Sequence, residues 1–94
     1  MLRIWQLFFE SDAKKQFAKL PKNIQSKISD YFDDRVLIAP EPLVLASPLT
    51  GEMTGLWRFR IGDYRVICKV DKGKLIIMAI AIGHRKDIYK KTRH

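Results

Sequence analysis

The stretch WRFRIGDYRVICKV, residues 57–70, places three arginines and a lysine among apolar residues on both sides of a single Gly-Asp pair. Gly62 and Asp63 suit a two-residue hairpin turn, and the residues that flank them favour strands. Because successive side chains of a strand point to opposite faces, this turn places Arg60 directly opposite Arg65. The stretch therefore predicts an antiparallel hairpin with one apolar face and one basic face.

The basic face of this hairpin carries like charges side by side. Arg60 faces Arg65 across the two strands. Arg58 lies opposite Ile67, and Lys69 follows on the same face. Like charges directly opposite each other destabilise a sheet by up to about 1 kcal/mol, so the pattern favours an anion-binding role. The alternative is a face that is basic only because the open side of a two-layer sheet must be polar.

The segments before the hairpin predict one strand and two helices. Residues 2–9, LRIWQLFF, are rich in aromatic and β-favouring residues and predict a first strand. Residues 11–20 and 21–37 carry apolar side chains at helical spacing. Ser11 is suited to cap the first helix, and Pro21 is suited to end that helix and open the next.

The order of the elements predicts the fold class. Residues 38–55 hold three of the four prolines and predict an irregular connection to a strand-rich half, whose last strand is KLIIMAIAIG, residues 74–83. The apolar side of the helical hairpin must cover the apolar face of the sheet. We therefore expect residues 1–94 to form a single α+β domain, in which a β-α-α-β-β-β chain packs a helical hairpin on a mainly antiparallel sheet.

The last strand extends the basic face with apolar side chains. A two-residue turn at Lys72 and Gly73 pairs Val70 with Leu75. This register sends four apolar side chains, followed by a histidine, to the arginine side: Ile76, Met78, Ile80, Ile82 and His84. An exposed apolar floor of this kind predicts a bound partner. The alternative is that the C-terminal tail, residues 86–94, folds back over it.

The segment GHRKDIYKK, residues 83–91, adds chemistry at the end of the last strand. His84 can exchange protons near neutral pH, and Arg85 offers a planar fork for phosphate. Tyr89 can stack on a base or relay a proton. Together with the arginines of the hairpin, these residues predict one phosphate-binding site.

The charge balance of the chain agrees with a polyanionic or acidic partner. Eighteen Lys and Arg against ten Asp and Glu give a formal net charge of +8. Such an excess attracts nucleic acid or an acidic protein segment. A basic surface without a special target is the simpler alternative.

The cysteine count and the N-terminus bear on location and cofactors. Cys68 is the one cysteine, so an internal disulfide is excluded, and no Cys/His spacing typical of a metal site occurs. The apolar start of the chain is too short for a membrane span and is interrupted by Arg3 and Gln6. We expect a cytoplasmic protein without a metal or another cofactor and without a membrane partner.

Three parts of the chain carry a family resemblance: KKQFAKLP at 14–21, LWRFRIGDYRV at 56–66 and GHRKDIY at 83–89. The second and third are the most specific. With them the sequence resembles the RelE/ParE superfamily of toxins from bacterial type II toxin–antitoxin systems. The resemblance implies a β-α-α-β-β-β domain and a cognate antitoxin, whose acidic, partly disordered segment wraps the toxin.

The RelE-like branch of this superfamily implies a ribosome-dependent mRNA interferase. Such a toxin cuts the message in the decoding site by metal-independent attack of the ribose 2′-hydroxyl. Its partners are the ribosome and mRNA, and operator DNA is bound only through the antitoxin complex. The residues expected in catalysis are Arg65, Arg85, Tyr89 and His84. The residues expected in RNA binding are Arg58, Arg60, Lys69 and Lys86.

The sequence also departs from some RelE-like members, which carry lysines where this chain has arginines. Arginine keeps its proton, so Tyr89 or His84 is expected to move the proton in catalysis. Two other functions stay open: a ParE-like inhibitor of DNA gyrase, and an inactive toxin-like protein that serves as a co-repressor with its antitoxin. The full basic set on the sheet favours the interferase, because ParE-like members generally lack it.

Overall fold

The computed structural model describes residues 2–91, which form a five-stranded sheet with helices packed on it. The strands are β1 (Gln6–Phe9), β2 (Ala46–Pro48), β3 (Trp57–Ile61), β4 (Tyr64–Asp71) and β5 (Ile76–His84). The helices are α1 (Ser11–Ala18), α2 (Lys22–Tyr31) and α3 (Ile88–Lys91). No helix in this part of the chain is long and apolar enough to cross a membrane.

The sheet has the strand order β1-β5-β4-β3-β2. Strand β1 runs parallel to β5, and the other neighbours are antiparallel. The helical hairpin of α1 and α2 covers one face. This arrangement confirms the predicted two-layer α+β fold, with β5 as an interior strand.

The helical region differs from the prediction at both ends. Ser11 is the first residue of α1 and not its cap, because Glu10 occupies the cap position and makes no side-chain cap hydrogen bond. Pro21 lies directly before α2, in agreement with the prediction that it opens this helix, whereas α1 already ends at Ala18. The segment predicted as one helix to residue 37 instead widens into a π-helical turn, Phe32–Val36, which buries both of its end residues.

One strand is shorter than predicted, and another was not predicted. Strand β1 begins at Gln6, so residues 2–5 of the predicted strand lie outside it. Strand β2, Ala46–Pro48, lies within the segment predicted to be irregular and pairs with β3. Its proline is tolerated because β2 is an edge strand, where the missing N–H costs no ladder hydrogen bond.

The first hairpin of the sheet has the predicted register. Arg60 pairs with Arg65, and Arg58 pairs with Ile67. Gly62 has a φ of +60°, a left-handed conformation that glycine adopts without steric cost. The basic face therefore lies away from the helices, as the alternation of side chains required.

The second hairpin does not have the predicted register. Its turn covers residues 72–75, with Leu75 at a φ of +55°, and Val70 pairs with Ile77. The longer turn is stabilised because the Asp71 Oδ1 accepts a hydrogen bond from the Lys74 N–H at 3.1 Å. The predicted two-residue turn at Lys72 and Gly73 was therefore wrong.

A bulge in β5 then changes which face its residues occupy. The register shifts at Ile67 and Cys68, which pair with Ala81 and Ala79, so Ile80 is the extra residue. Ile80 and Ala81 both pack toward the open face, and Ile82 joins the core on the helix side. The prediction that Ile82 and His84 would lie on the arginine side was wrong, because a bulge inverts the alternation beyond it.

The core has one cluster on each side of the sheet. The main cluster lies between helices and sheet and includes Phe32 and Phe59. The smaller cluster joins Ile67 and Ala81 to Ile88 of α3, so the C-terminal segment does fold back over part of the apolar floor. Ile76 and Met78 stay half-buried beside Phe8, which is 46% exposed. Residues 92–94 of the predicted tail lie outside the described residues.

Cys68 is buried in the main cluster, and burial raises the pKa of its thiol above the ordinary value of 9.0. The folded protein holds the thiol proton of Cys68 more tightly than the unfolded chain does. The contribution of this thiol to the free energy of unfolding is therefore complete below about pH 9 and declines as the pH rises.

We expect Cys68 to resist alkylation at pH 8 in the folded protein and to react completely when the chain is unfolded in denaturant. The rate of iodoacetamide labelling, followed by mass spectrometry, checks this. Rapid labelling of the folded protein would contradict the buried position.

Candidate functional site

The open face of the β3–β4 hairpin brings the predicted arginines together near the turn. Arg60 and Arg65 are direct neighbours across the two strands, and Arg58 lies one pair further from the turn on the same face. Arg60 is exposed and Arg58 is half-buried. The like charges predicted from the sequence are therefore adjacent in the structure.

Arg65 is the buried member of this group, with 6% of its surface exposed. Its Nη1 donates hydrogen bonds to the carbonyl oxygens of Gly62 at 2.8 Å and Tyr64 at 2.9 Å. The guanidinium therefore fixes the backbone of the β3–β4 turn. Strand β5 adds no side chain beside it, because the residue opposite Arg65 is Gly83.

The electrostatics of Arg65 show which charges surround it. Burial lowers the pKa of the guanidinium, and the positive charges of Arg60, Arg58 and Arg85 lower it further, while Tyr89 raises it. Arginine nevertheless stays protonated in proteins. We call Arg58, Arg60, Arg65, Arg85 and Tyr89 the cationic cluster.

Arg85 joins the cationic cluster through the turn of the first hairpin. Its backbone N–H donates to the carbonyl oxygen of Asp63 at 2.7 Å, and its Nε lies 3.8 Å from the Asp63 Oδ1. The Arg85 side chain is exposed, so this ion pair is screened by solvent and contributes little to stability. The backbone contact therefore positions Arg85 and leaves its guanidinium accessible.

Tyr89 joins the cationic cluster through α3. The Arg58 guanidinium donates a hydrogen bond to the Tyr89 hydroxyl. The neighbouring Ile88 is fully buried against Ile67 and Ala81, which fixes α3 on the open face. Tyr89 itself is 42% exposed. A phenol hydroxyl is thus held by Arg58 on a partly exposed side chain.

His84 lies on the opposite face of the sheet. It pairs with Tyr64, and the two rings meet edge to face with centroids 5.6 Å apart. Its Nδ1 accepts a hydrogen bond from the Lys86 N–H at 3.2 Å. The bulge in β5 therefore separates His84 from the face where the sequence predicted it.

The two predicted lysines differ from the arginines in position. Lys69 is on the open face of β4, but it lies about 13 Å from Arg65 along the strand, given the rise of a β-strand. Its Nζ is 3.5 Å from the Oε1 of Glu10. Lys86 is exposed in the turn after β5, beside Arg85 in sequence. The structure does not bring Lys69 into the cationic cluster.

Lys27 is a further cation near the turn, which sequence reasoning did not select. A methyl group placed on Gly62 would lie 2.8 Å from the Lys27 Nζ, so the amine rests directly over the turn. The two residues line a groove of about 330 Å³ together with Arg60 and Asp30. Nothing in the sequence links a lysine of α2 to this turn, because their proximity arises from the packing of the helix on the sheet.

The cationic cluster is suited to holding a phosphate and stabilising negative charge on its oxygens. The buried Arg65 interacts with an anion more strongly than an arginine in bulk water does. The phenol of Tyr89 adds a group that can donate or accept a proton at the same place. Within residues 2–91, no group of three or more His, Cys, Asp or Glu is arranged to hold a metal ion.

The fold is the one that the resemblance to RelE/ParE toxins implied. The family model for the ParE toxin of type II toxin–antitoxin systems matches residues 7–89. The chain therefore belongs to the ParE toxin family, within the RelE/ParE superfamily that the sequence resembled. Toxin RelG of Mycobacterium tuberculosis (strain ATCC 25618 / H37Rv) is 30% identical over 84 residues, covering 88% of this chain and 93% of the relative.

Solved structures agree on the fold. The toxin–antitoxin complex RelBE2 from Mycobacterium tuberculosis has a TM-score of 0.78 at 24% identity, covering 89% of this chain and 100% of that chain. The archaeal RelE–RelB complex from Pyrococcus horikoshii OT3 has a TM-score of 0.66 at 26% identity, covering 87% and 96%. The isolated E. coli RelE toxin has a TM-score of 0.68 at 22% identity, covering 94% of each chain.

Proposed function

We propose that this toxin is an endoribonuclease that cleaves mRNA in the decoding site of the ribosome. The observation that carries the proposal is the cationic cluster, in which Arg65 lies among three further arginines and Tyr89, whose hydroxyl is bonded to Arg58. The similarity to Toxin RelG and to the RelE structures supports the choice of the RelE-like branch.

The reaction is attack of a ribose 2′-oxygen on the adjacent phosphorus. A bond forms between the 2′-oxygen and phosphorus, and the bond from phosphorus to the 5′-oxygen breaks. The proton of the 2′-hydroxyl leaves to a base, and the 5′-oxygen takes up a proton. The products are a 2′,3′-cyclic phosphate and a 5′-hydroxyl, and no oxidant or reductant is consumed.

Exposure divides the roles among the arginines. Arg60 and Arg85 are exposed and bind the scissile phosphate and its neighbours. Arg65 is buried, so it adds positive charge behind the phosphate and fixes the turn that carries its neighbours. Lys86, exposed beside Arg85, adds charge along the RNA. These cations stabilise the negative charge that develops on the phosphate oxygens in the transition state.

Proton transfer is assigned to Tyr89. Its hydroxyl is held by Arg58 within the cationic cluster, whereas His84 contacts Tyr64 on the opposite face. A positioned proton donor or acceptor speeds such a step by about 10²–10⁴-fold. Of the two proton carriers expected from the sequence, the geometry favours the tyrosine.

A cognate antitoxin is the second partner that we propose. The net charge of +8 favours an acidic segment, and the half-buried Ile76 and Met78 with Phe8 offer apolar contacts on the same sheet face. The RelBE2 and RelE–RelB structures are themselves complexes of a toxin with an antitoxin. Operator DNA is then bound by the complex and not by the toxin alone.

Inhibition of DNA gyrase is the second candidate function. The family model that matches residues 7–89 is that of the ParE toxin, which favours this alternative. The cationic cluster would then bind a protein surface or DNA instead of message. A supercoiling assay with purified gyrase separates the two functions.

We expect Arg65→Ala to lower message cleavage by about 10²–10³-fold, the typical loss for one group that stabilises the transition state, because it removes the positive charge behind the phosphate. Ribosomes stalled on a defined message are incubated with each protein, and the message ends are mapped by primer extension. Arg3→Ala is the matched control, because it removes an arginine that is paired with Asp33 outside the cationic cluster. Arg60→Ala removes an exposed arginine and serves as a second variant if Arg65→Ala does not fold.

The outcomes decide between the two functions. Cuts within the decoding-site codon by the wild type and Arg3→Ala, but not by the two cluster variants, support the interferase. Gyrase inhibition is supported if all of the proteins leave the message intact and the wild-type toxin stops purified gyrase from supercoiling DNA. Full cleavage by folded Arg65→Ala and Arg60→Ala would contradict the role of the cationic cluster.

A further inference from the structure

A side chain of the helical layer contacts the bulge in β5. The Oε1 of Gln16, in α1, accepts a hydrogen bond from the Ile82 N–H at 2.7 Å. Ile82 is fully buried and lies directly after the bulge, and Gln16 is half-buried between helix and strand. This contact is unusual in the sheet because a side chain from the other layer meets a strand amide where the ladder changes register.

The position of the bulge determines what lies beside Arg65. In the register observed near the second turn, Val70 pairs with Ile77. If that register continued without a bulge, Arg65 would face Ile82, and this large side chain would point to the open face. With the bulge, Arg65 faces Gly83 and Ile82 enters the core.

The same shift positions the residues beyond the bulge, at the end of β5 and after it. It places His84 beside Tyr64 on the helix side. It also brings the Arg85 N–H within 2.7 Å of the Asp63 carbonyl oxygen, at the turn whose other carbonyls are held by Arg65. A bulge re-aims the side chains beyond it, so the geometry of the cationic cluster depends on where the bulge lies.

We propose that Gln16 is a positioning residue of the cationic cluster, which acts from the helical layer by fixing the bulge of β5 beside Ile82. Gln16 contacts no substrate in this role. It keeps Gly83 opposite Arg65 and Arg85 over the turn. The expected effect on cleavage rests on the proposed function, whereas the effect on the bulge does not.

Three variants test the role of Gln16. Gln16→Met keeps the length and shape of the side chain but removes the acceptor, and Gln16→Asn keeps the amide but shortens its reach. Gln16→Glu keeps an acceptor oxygen at the same reach. Gln25→Met is the matched control, because the Gln25 amide donates to the Ala18 and Leu20 carbonyls within the helical hairpin and not to a strand.

Two measurements are made on each variant. NMR spectra give the hydrogen-exchange rate of the Ile82 N–H and the chemical shifts of Gly83 and of the Arg65 guanidinium. The dispersion of the amide resonances shows whether each variant is folded. Single-turnover cleavage is measured at saturating and subsaturating toxin, which separates the rate of the cleavage step from the affinity of the toxin for the ribosome. We expect Gln16→Met and Gln16→Asn to accelerate Ile82 exchange, to shift both resonances, and to slow cleavage by about 10–100-fold at saturation. Gln16→Glu and Gln25→Met should resemble the wild type.

Each contrary result has a distinct meaning. Unchanged Ile82, Gly83 and Arg65 signals in folded Gln16→Met would overturn the proposal, because Gln16 would not hold the bulge. Shifted signals with cleavage within twofold of the wild type would overturn it too, because the bulge would not position the cluster. If the wild type cleaves no message, the proposed function fails, and the NMR signals alone decide whether Gln16 positions the cationic cluster.

Discussion

Replacing Tyr89 by phenylalanine is expected to lower the single-turnover rate of message cleavage by about 10²–10⁴-fold, the usual contribution of a positioned proton donor or acceptor. The substitution removes the hydroxyl that accepts a hydrogen bond from Arg58 and leaves the ring in place. The fold should be retained, because α3 is anchored by the fully buried Ile88 and not by the 42% exposed Tyr89. Primer extension on ribosome-bound message measures the loss.

Tyr64→Phe is the matched control for this prediction. It removes a tyrosine hydroxyl from the opposite face of the sheet, beside His84, and should leave cleavage within about twofold of the wild type. Retention of more than half of the activity by Tyr89→Phe would exclude Tyr89 from proton transfer. A loss in Tyr64→Phe of the same size would instead return His84 and its surroundings to consideration.

Phe59→Ala is expected to lower the free energy of unfolding by about 3–5 kcal/mol, the usual cost of truncating a buried phenylalanine. Phe59 is fully buried, and its ring packs against Phe32 with centroids 5.1 Å apart at an interplanar angle of 61°. A domain is stable by only about 5–15 kcal/mol in total, so this one substitution removes a large fraction. Urea unfolding followed by circular dichroism measures the change.

A control variant and a double-mutant cycle test the prediction for Phe59→Ala. Phe8→Ala truncates a phenylalanine that is 46% exposed, and its cost should be less than half that of Phe59→Ala. The double variant with Phe32→Ala should show a coupling of about 0.5–1.5 kcal/mol for the edge-to-face pair. Equal losses for Phe8→Ala and Phe59→Ala would contradict the position of the core on the helix side.

The first hairpin could be predicted in detail because its information is local. Gly62 and Asp63 specify a two-residue turn, and the turn alone then pairs Arg60 with Arg65. The alternation of apolar and basic residues assigns each face without knowledge of the rest of the chain. The proximity of the hairpin arginines could therefore be predicted from the sequence.

The second hairpin could not be predicted because its register depends on distant contacts. The turn after Asp71 is set by a side-chain hydrogen bond to Lys74, and the bulge of β5 lies beside a glutamine from α1. Strand β5 is apolar on both faces, so its sequence accommodates a shift of one residue without exposing a charge. The face of His84 followed from these contacts and not from its own neighbours.

The pairing of β1 with β5 has a consequence for the synthesis of the toxin. Gln6, near the beginning of the chain, pairs with Ile76 in the last strand of the sheet, and α1 contacts the same strand. Pairing between distant parts of a chain makes folding slow because it requires closure of a long loop. A product of interrupted translation that ends before Ile76 contains the hairpin arginines but lacks the strand that joins them to Arg85 and Tyr89. Under the proposed function, such a fragment is therefore expected not to cleave message, and only chains that extend through Tyr89 are expected to need the antitoxin.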